Sequence, residues 1–194
     1  MKFKIFKFKT VTSTNDMAIN LIKKDNKENG CVIANMQTEG RGTHGKKWIS
    51  EQGNLFGTIF FQLEKNYPSF SEFAIINPVI ISGVIKIICK KQDISLKYPN
   101  DIFVNGKKIC GILQEIITLS SKQFLIIGVG LNITSNPEVT DKYKATNILS
   151  EINKNPKVSE IMFLIVSAYE KFFNNLNSYD YSYFKSKAES MALN

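Results

Sequence analysis

The chain has 194 residues, of which 43% are hydrophobic and 22% charged, a balance that excludes disordered and collagen-like proteins. Its net charge of +8 is spread over many short groups of lysines, which favours general solubility over a nucleic-acid-binding face. No apolar run reaches the roughly 20 residues of a membrane helix, and residues 1–9 make a poor signal peptide. The three cysteines are scattered, and with a single histidine they form no common zinc-binding pattern. We therefore expect a cytoplasmic protein in a reducing compartment.

The N-terminal part of the chain is predicted to form a strand, a helix and a second strand. Lysine alternates with Phe and Ile over residues 2–11, which predicts a strand whose lysines would protect a sheet edge. Residues 12–16 are rich in N-cap side chains, and apolar residues follow at helical spacing, so a helix should extend to about Lys24. A polar turn over 25–30 then precedes a short buried strand over 31–36.

The middle of the chain is predicted to contain a loop, a strand and a long helix. Residues 38–47, called the glycine-rich loop below, have glycine at positions 40, 42 and 45. A strand is predicted over 55–63 and a turn over 67–69. Residues 73–90 follow as a helix whose apolar side chains lie on most sides, which indicates burial.

The rest of the chain has the signals of antiparallel strands followed by helices. A strand over 94–98 should stop at Pro99, and Asn105-Gly106 is the strongest hairpin signal, joining strands over 102–104 and 108–118. The remaining elements are, in order, a strand over 124–131, a polar loop over 132–146, a helix over 158–176 and a short helix over 181–188. We expect one α+β domain over residues 1–194, with a mixed, mostly antiparallel sheet and packed helices.

The first segment with the residues for chemistry is 37–48, which contains the glycine-rich loop and ends in Trp48, the only tryptophan. Glycines let a backbone approach a ligand closely and turn its N–H groups towards an anion. Arg41 offers a planar fork for a carboxylate or a phosphate, and Lys46 and Lys47 add positive charge. The spacing fits neither a Walker A loop nor a dinucleotide fingerprint. Alone, the segment is equally compatible with a surface loop of solvated charges.

Four other segments carry weaker signals, and each also has an ordinary structural explanation. Lys97 stands at a strand end, where its charge can neutralise a phosphoryl centre, and Asp101 follows closely enough to hold a metal ion or orient the lysine. Gly111 inside a strand indicates close approach of a ligand or of backbone. The other two segments are Gly128-Val129-Gly130-Leu131-Asn132 at the end of an apolar strand and Ser13-Thr14-Asn15 at a helix N-cap.

Taken in order, these segments resemble the biotin–protein ligase family. That family shows Ser-Thr-Asn, a Gln-Thr-x-Gly-Arg-Gly loop that ends in tryptophan, Lys-Trp-Pro-Asn-Asp, Lys-x-x-Gly-Ile-Leu-x-Glu and Gly-x-Gly-x-Asn. The corresponding residues here are 13–15, 37–48, 97–101, 108–115 and 128–132. Each motif is modest, but five in the right order over residues 3–180 are specific. The resemblance implies a class II synthetase-like biotin ligase catalytic domain.

The resemblance also implies a role for each matching residue. Lys97 and Arg41 would be catalytic, with Lys97 contacting the biotin carboxylate and the α-phosphate. The residues implied to bind biotin are Ser13, Thr14, Asn15, Gln37, Arg41, Gly42, Thr43, Lys97 and Gly111, the first four at the ureido ring. Those implied to bind ATP are Arg41, Trp48, Asn100, Lys108 and Asn132. Asp101 would help to hold Mg²⁺.

The implied activity is that of an ATP-dependent ligase, which activates biotin as biotinyl-5'-AMP and transfers it to a specific lysine of a biotin carboxyl carrier protein. Biotin and ATP are then substrates, with Mg²⁺ accompanying ATP. The partner is the carrier subunit of acetyl-CoA carboxylase or of another biotin-dependent carboxylase. Neither DNA nor a membrane is expected as a partner, and a homodimer is left open. Because the adenylate is labile in water, the glycine-rich loop is expected to close over it.

The chain departs from the family pattern in several places. Thr43 stands where the family often has a basic residue that helps to retain the intermediate, and Tyr98 replaces the usual tryptophan. The sequence starts directly at the first core strand, so we expect no N-terminal DNA-binding domain. It ends at Asn194, so we expect no SH3-like domain of the kind that follows the core in most members.

Three rival functions are also compatible with some of these features. A lipoate ligase or octanoyltransferase shares the fold, but such an enzyme would contain a histidine-bearing motif around Gly-Gly-Gly, which this sequence lacks. A regulatory module that binds biotin or a nucleotide without turnover would keep the same residues. A nucleic-acid-binding protein is supported only by the net charge and predicts affinity that falls steeply with salt.

Overall fold

The chain forms seven strands and five α-helices in the computed structural model, which describes residues 1–137 and 143–193. The strands are β1 (Ile5–Val11), β2 (Asn29–Gln37), β3 (Leu55–Gln62), β4 (Ile94–Lys97), β5 (Asp101–Val104), β6 (Lys107–Leu119) and β7 (Lys122–Leu131). The helices are α1 (Thr14–Asp25), α2 (Phe70–Ile88), α3 (Ile148–Ile152), α4 (Val158–Asn174) and α5 (Tyr181–Glu189). Short 3₁₀ turns cover Thr43–Gly45 and Leu176–Ser178.

The strands join in one sheet, in the order β1-β2-β3-β7-β6-β5-β4. β1 runs parallel to β2, and every other neighbouring pair is antiparallel. The predicted α+β class with a mixed, mostly antiparallel sheet is therefore confirmed. β1 is an edge strand, as its alternating lysines indicated. The predicted hairpin between β5 and β6 is also confirmed, with positive φ at both Asn105 and Gly106.

The opposite edge strand, β4, is covered by the C-terminal segment of the chain. The backbone N–H of Leu96 donates to the carbonyl of Met191 at 2.7 Å, and that of Leu193 donates to the carbonyl of Leu96 at 2.8 Å. Ala192 pairs in parallel with Leu96. These bonds satisfy backbone groups that an edge strand would otherwise leave unpaired. No signal in the sequence predicted this pairing.

The helices cover both faces of the sheet, because successive side chains of a strand point to opposite faces. Val32, Phe60 and Ile126 face α1, whereas Cys31 and Ile59 belong to the larger core under α2 and α4. Helices thus pack against both faces of the sheet, and residues of β5, β6 and β7 border the candidate site.

Helix α2 is long and apolar enough, with 19 residues and a hydropathy of 1.7, to meet the length and composition of a membrane span. Half of it is buried within this fold. Asn77 in its middle donates to Gln114 on β6 at 2.7 Å and accepts from the hydroxyl of Tyr169 on α4 at 2.8 Å. This is the packing of a core helix between a sheet and a second helix.

Several element boundaries differ from the sequence predictions. α2 begins at Phe70, three residues before the predicted start, because Ser69 and Glu72 form a capping box. α3 was not predicted; it begins beside Asn147, whose side chain accepts from the backbone N–H of Ser150 at 2.8 Å. Part of the loop predicted over 132–146 lies outside the described residues.

Candidate active site

A cavity of about 280 Å³ opens over the sheet where α1 begins, bounded by the glycine-rich loop, β5, β6 and β7. Every predicted site residue except Lys97 lines this cavity: Ser13, Thr14, Asn15, Gln37, Arg41, Gly42, Thr43, Trp48, Asn100, Asp101, Lys108, Gly111 and Asn132. The residues come from five separate segments of the chain. Only the fold brings them together.

The floor of the cavity consists of glycines on β6 and β7. A Cβ atom on Gly128 would lie 2.5 Å from the Asn15 side chain, and one on Gly130 or Gly111 would lie 2.3 or 2.6 Å from the Trp48 ring. Glycine is therefore required for these contacts, because no real Cβ atom tolerates such distances. The Trp48 indole N–H is buried and has no hydrogen-bond partner within the described part of the chain.

The end of the cavity near α1 is polar and uncharged. The backbone N–H and the hydroxyl of Thr14 both donate to Gln37 Oε1, at 2.8 and 3.0 Å, and Gln37 Nε2 donates to Ser50 Oγ at 3.0 Å. The Thr58 hydroxyl donates to Asn15 Oδ1 at 2.6 Å. Ser13 occupies the N-cap position of α1 without a side-chain capping bond. These buried groups are held in fixed orientations by one another.

Arg41 of the glycine-rich loop is held by two carboxylates. Its Nη1 and Nη2 atoms donate to the two oxygens of Glu115 at 2.8 and 2.9 Å, and Nη2 also donates to Asp16 at 2.7 Å. The hydrogen bond to Glu115 and the charges of both carboxylates raise the pKa of Arg41. Glu115 Oε2 further accepts from Asn15 Nδ2 at 2.7 Å, which links the loop to the polar end of the cavity.

The other end of the cavity is cationic. Lys108 Nζ lies 2.8 Å from Asp101 Oδ1 and 5.7 Å from the centre of the Trp48 ring. Asn100 donates to Asp101 at 3.3 Å and to the Thr43 hydroxyl at 3.5 Å. The backbone N–H of Lys108 donates to the carbonyl of Lys144, and its carbonyl accepts from the N–H of Thr146. These two residues flank Ala145, so both backbone groups of Lys108 are held.

Lys97, predicted to be catalytic, is not among the described residues that line the cavity. Its ammonium group lies 3.6 Å from the centre of the Tyr143 ring, a close cation–π contact. Lys97 pairs with Asp101 across β4 and β5, but the side chain of Asp101 makes its ion pair with Lys108. Lys108, Lys46 and Lys47 are the lysines that reach the cavity.

Several functional neighbours were missed by sequence reasoning. Glu115 ends one of the quoted motifs but was given no role, because its partners Asn15 and Arg41 are distant in sequence. Asp16 was noted only as one of several N-cap residues, and Ser50 carried no signal. Among the described residues there is no group of three or more His, Cys, Asp or Glu side chains suited to a metal, and Asp101 is the acidic residue of the cavity lining.

Comparisons with known proteins agree with this fold. Residues 7–132 match the model of the Biotin/lipoate A/B protein ligase family, and the chain belongs to that family. The bifunctional ligase/repressor BirA of Bacillus subtilis is 27% identical over 189 residues, which are 94% of this chain and 58% of that protein. The biotin–[acetyl-CoA-carboxylase] ligase of Mycobacterium tuberculosis is 32% identical over 122 residues, 61% of this chain and 44% of that protein.

Solved structures of biotin protein ligases have the same fold. The enzyme from Aquifex aeolicus, in complex with biotin and ATP, has a TM-score of 0.81 and 27% identity, covering 98% of this chain and 78% of that one. The enzyme from Leishmania major, in complex with biotinyl-5-AMP, has a TM-score of 0.81 and 25% identity, covering 98% and 81%. The resemblance to biotin–protein ligase catalytic cores is therefore confirmed, over a chain that spans 58% of the Bacillus relative.

Proposed function

We propose that this protein is an ATP-dependent biotin–protein ligase. It activates biotin as biotinyl-5'-AMP and transfers the biotin to a lysine of a biotin carboxyl carrier protein. The observation that carries the proposal is a single cavity with an uncharged hydrogen-bonding end, a glycine floor and a cationic end. Similar folds in complex with biotin and ATP support the same substrates.

The polar end suits the ureido ring of biotin. A cyclic urea offers two N–H donors and one carbonyl acceptor without charge, so it requires neutral partners in fixed positions. Thr14, Asn15 and Gln37 provide such groups, and their mutual hydrogen bonds orient them before any ligand arrives. The hydrogen-bonding capacity that these bonds leave unused, such as that of the uncapped Ser13 hydroxyl, would cost about 1–3 kcal/mol per group if a bound ligand left it unpaired, which gives selectivity for a ligand that pairs it.

The order of residues along β7 gives the direction in which biotin would lie. Gly128 lies against Asn15 at the polar end, Gly130 lies against Trp48, and Asn132 follows at the end near Lys108. Four residues of strand span roughly 13 Å. We propose that the acyl tail runs along this line beside Trp48, whose ring covers Gly111 and Gly130, and brings its carboxylate to the cationic end.

The activation step joins two anionic groups, the carboxylate of biotin and the α-phosphate of ATP. A carboxylate oxygen of biotin attacks the α-phosphorus of ATP, the bond to the β-phosphate breaks, and pyrophosphate leaves. Positive charge must offset the repulsion, and Lys108 with Lys46 and Lys47 can supply it. Geometry favours Lys108 over Lys97 for this role, because Lys97 is stacked on Tyr143 outside the cavity lining.

We include Mg²⁺ in the proposal as an ion that ATP brings. Such ions take one or two carboxylates and complete their coordination with phosphate oxygens and water. Asp101 is the carboxylate of the cavity lining, and its ion pair with Lys108 lies at the cationic end. These residues fit an ion held mainly by the nucleotide, with Asp101 as one ligand.

In the transfer step, the amine of the acceptor lysine attacks the acyl carbon, the bond to the phosphate oxygen breaks, and AMP leaves. The carrier protein, a location in the cytoplasm and the organisation of residues 1–194 as one catalytic domain are parts of the same proposal. The buried, unpaired thiols of Cys31, Cys89 and Cys110 agree with a reducing compartment.

Biotin-dependent exchange between pyrophosphate and ATP tests the activation step, and labelling of a purified biotin carboxyl carrier domain tests the transfer. We expect both reactions with biotin. Lipoate in place of biotin, and a carrier domain with its acceptor lysine changed to arginine, are the matched controls. Exchange with lipoate but not biotin would assign the chain to the other branch of its family, and binding without exchange would make it a regulatory module.

A further inference from the structure

Glu115 joins two parts of the candidate site that are far apart in sequence. One of its oxygens accepts from Arg41, and the other accepts from both Arg41 and Asn15. We propose that Glu115 is a positioning residue, which anchors the glycine-rich loop over the cavity and aligns Asn15 at the ureido end. The inference rests on the proposed function, and it assigns a role that neither the motifs nor the comparisons assign.

The anchor stands on a rigid support. Glu115 lies in the middle of β6 and is paired with Ile126 of β7, whereas β5 pairs with β6 only as far as Gly111. Its side chain is 25% exposed, so the three charge-assisted bonds are partly shielded from water and are stronger than a surface ion pair. Asn15 also accepts from the Thr58 hydroxyl and donates to the Leu113 carbonyl at 3.4 Å, and the shorter bond to Glu115 completes the orientation of the amide.

The tip of the glycine-rich loop depends on this contact, because the backbone bonds from Thr38 to Val11 and from Glu39 to Thr12 hold only the first two residues of the loop. Gly42 N–H donates to Lys46 O, Trp48 N–H donates to Gly40 O, and Arg41 pairs with Lys47, so the loop is a small hairpin closed on itself. The bidentate Arg41–Glu115 contact ties that hairpin to the sheet. Asp16, on α1, makes a single bond to the same guanidinium and is the weaker partner.

This arrangement gives Arg41 a positioning role, which differs from the catalytic role that was predicted. Two carboxylates already offset its charge, so it contributes little net attraction for a phosphate. Arg41 instead holds Gly42, Thr43 and Trp48 in place over the glycine floor. The charge that meets the substrate anions then comes from the lysines of the lining, with Lys108 first among them.

Limited trypsin digestion without ligand tests the anchor directly, because Arg41 is itself a cleavage site. Glu115→Gln keeps one acceptor oxygen for Asn15 and removes the charge that binds Arg41. We expect cleavage after Arg41 to become about tenfold faster relative to cleavage after Lys90, an exposed site beyond α2. Glu28→Gln, which removes a carboxylate from the exposed ion pair with Lys122, should leave this ratio unchanged.

Kinetics test the positioning. With biotin and ATP saturating, Glu115→Gln should lower kcat for biotin-dependent pyrophosphate exchange about tenfold, while the melting temperature stays close to that of the wild type. Asp16→Asn, which removes the single outer bond, should lower it about threefold. A kcat or a cleavage ratio like that of the wild type in Glu115→Gln overturns the proposal, as does uniform acceleration of cleavage at every site.

The two arms separate this inference from the proposed function. Digestion requires no substrate, so a wild-type chain that forms no adenylate fails the proposed function, and the Arg41 cleavage ratio then decides the anchor. If the Glu115→Gln variant forms adenylate at the wild-type rate, the proposed function stands and the anchoring role of Glu115 is refuted. Glu115→Asp, which withdraws the carboxylate from Arg41 by one methylene, provides the second variant if Glu115→Gln does not fold, and an unchanged Arg41 cleavage ratio in that variant also counts against the anchor.

Discussion

The ammonium nitrogen of Lys108 lies 2.8 Å from a carboxylate oxygen of Asp101, on the neighbouring strand, and both side chains line the cavity. Lys97 is also paired with Asp101 along the backbone, yet its side chain is directed to the ring of Tyr143. Two lysines near one aspartate thus have different surroundings. Of these two lysines, Lys108 lines the cavity, whereas Lys97 would have to leave its contact with Tyr143 to meet a ligand there.

We therefore expect Lys108→Ala to reduce biotin-dependent adenylation by two orders of magnitude or more, about 3 kcal/mol of transition-state stabilisation. Lys97→Ala is the matched variant, and its rate should stay within about fivefold of the wild type. Single-turnover formation of biotinyl-adenylate by each variant measures the effect. A larger loss in Lys97→Ala than in Lys108→Ala would return the catalytic role to Lys97.

Local signals were sufficient for most of the fold. The alternating lysines of β1 and the Asn105-Gly106 turn are short-range patterns, and both correctly predicted an edge strand and a hairpin. The pairing of Leu193 with β4 depends on where the chain returns after α5, and that is a tertiary contact with no local signature. α3 has five residues, too few for a helical period to be recognised.

The candidate site was likewise only partly predictable from local signals. Motifs and their order identified the segments that line the cavity, because glycine and N-cap residues have local requirements. They did not identify which lysine faces the cavity, since Lys97 and Lys108 both follow the pattern of a strand end near charge. The direction of each side chain is decided by Tyr143, Trp48 and Asp101, which come from other segments.

The contact between Gly130 and Trp48 predicts the effect of a single methyl group. Gly130→Ala places a Cβ atom 2.3 Å from the indole, so the ring must move, at a cost of about 1–3 kcal/mol. We expect weaker binding of biotin and ATP and a red-shifted emission, which reports on Trp48 alone because it is the only tryptophan. Gly83→Ala is the control: nothing lies within 4 Å of its Cβ position.

Since Gly83 lies in the interior of α2 and is exposed, Gly83→Ala should raise the free energy of unfolding by roughly 0.5–1 kcal/mol and leave the emission spectrum unchanged. If Gly130→Ala has the emission and ligand affinity of the wild type, Trp48 does not depend on the glycine floor.

The capping box of α2 predicts a dependence of stability on pH. The backbone N–H and the hydroxyl of Ser69 lower the pKa of Glu72 below its usual value, so the ionised form is favoured in the folded state. Its contribution is therefore present at neutral pH and is lost as the pH falls through the lowered pKa. Glu72→Gln keeps the hydrogen bonds of a capping box without the charge.

We expect the wild type to exceed Glu72→Gln by about 0.5 kcal/mol in free energy of unfolding at pH 7, because a negative charge near a helix N-terminus is favourable. The difference should shrink below about pH 4 as Glu72 is protonated. Urea unfolding of both proteins across this range measures it. A difference that does not change with pH would show that the charge of Glu72 contributes nothing.

Thr43 predicts how well the intermediate is retained. Its hydroxyl has one long contact, 3.5 Å from Asn100 Nδ2, and it lines the cationic end without adding charge. A charge-assisted hydrogen bond to a phosphate contributes roughly 1.5–3 kcal/mol, so its absence should speed escape of the adenylate about tenfold to a hundredfold. Escaped adenylate would react with exposed lysines of any protein nearby.

We expect the wild type, mixed with biotin, ATP and a protein that is not an acceptor, to label that bystander, and Thr43→Arg to label it far less. Thr43→Ser, which keeps the hydroxyl and adds no charge, should behave like the wild type. Equal labelling by wild type and Thr43→Arg would show that Thr43 does not control escape. If neither protein labels the bystander, the lysines of the same loop, Lys46 and Lys47, retain the phosphate, since both line the cavity.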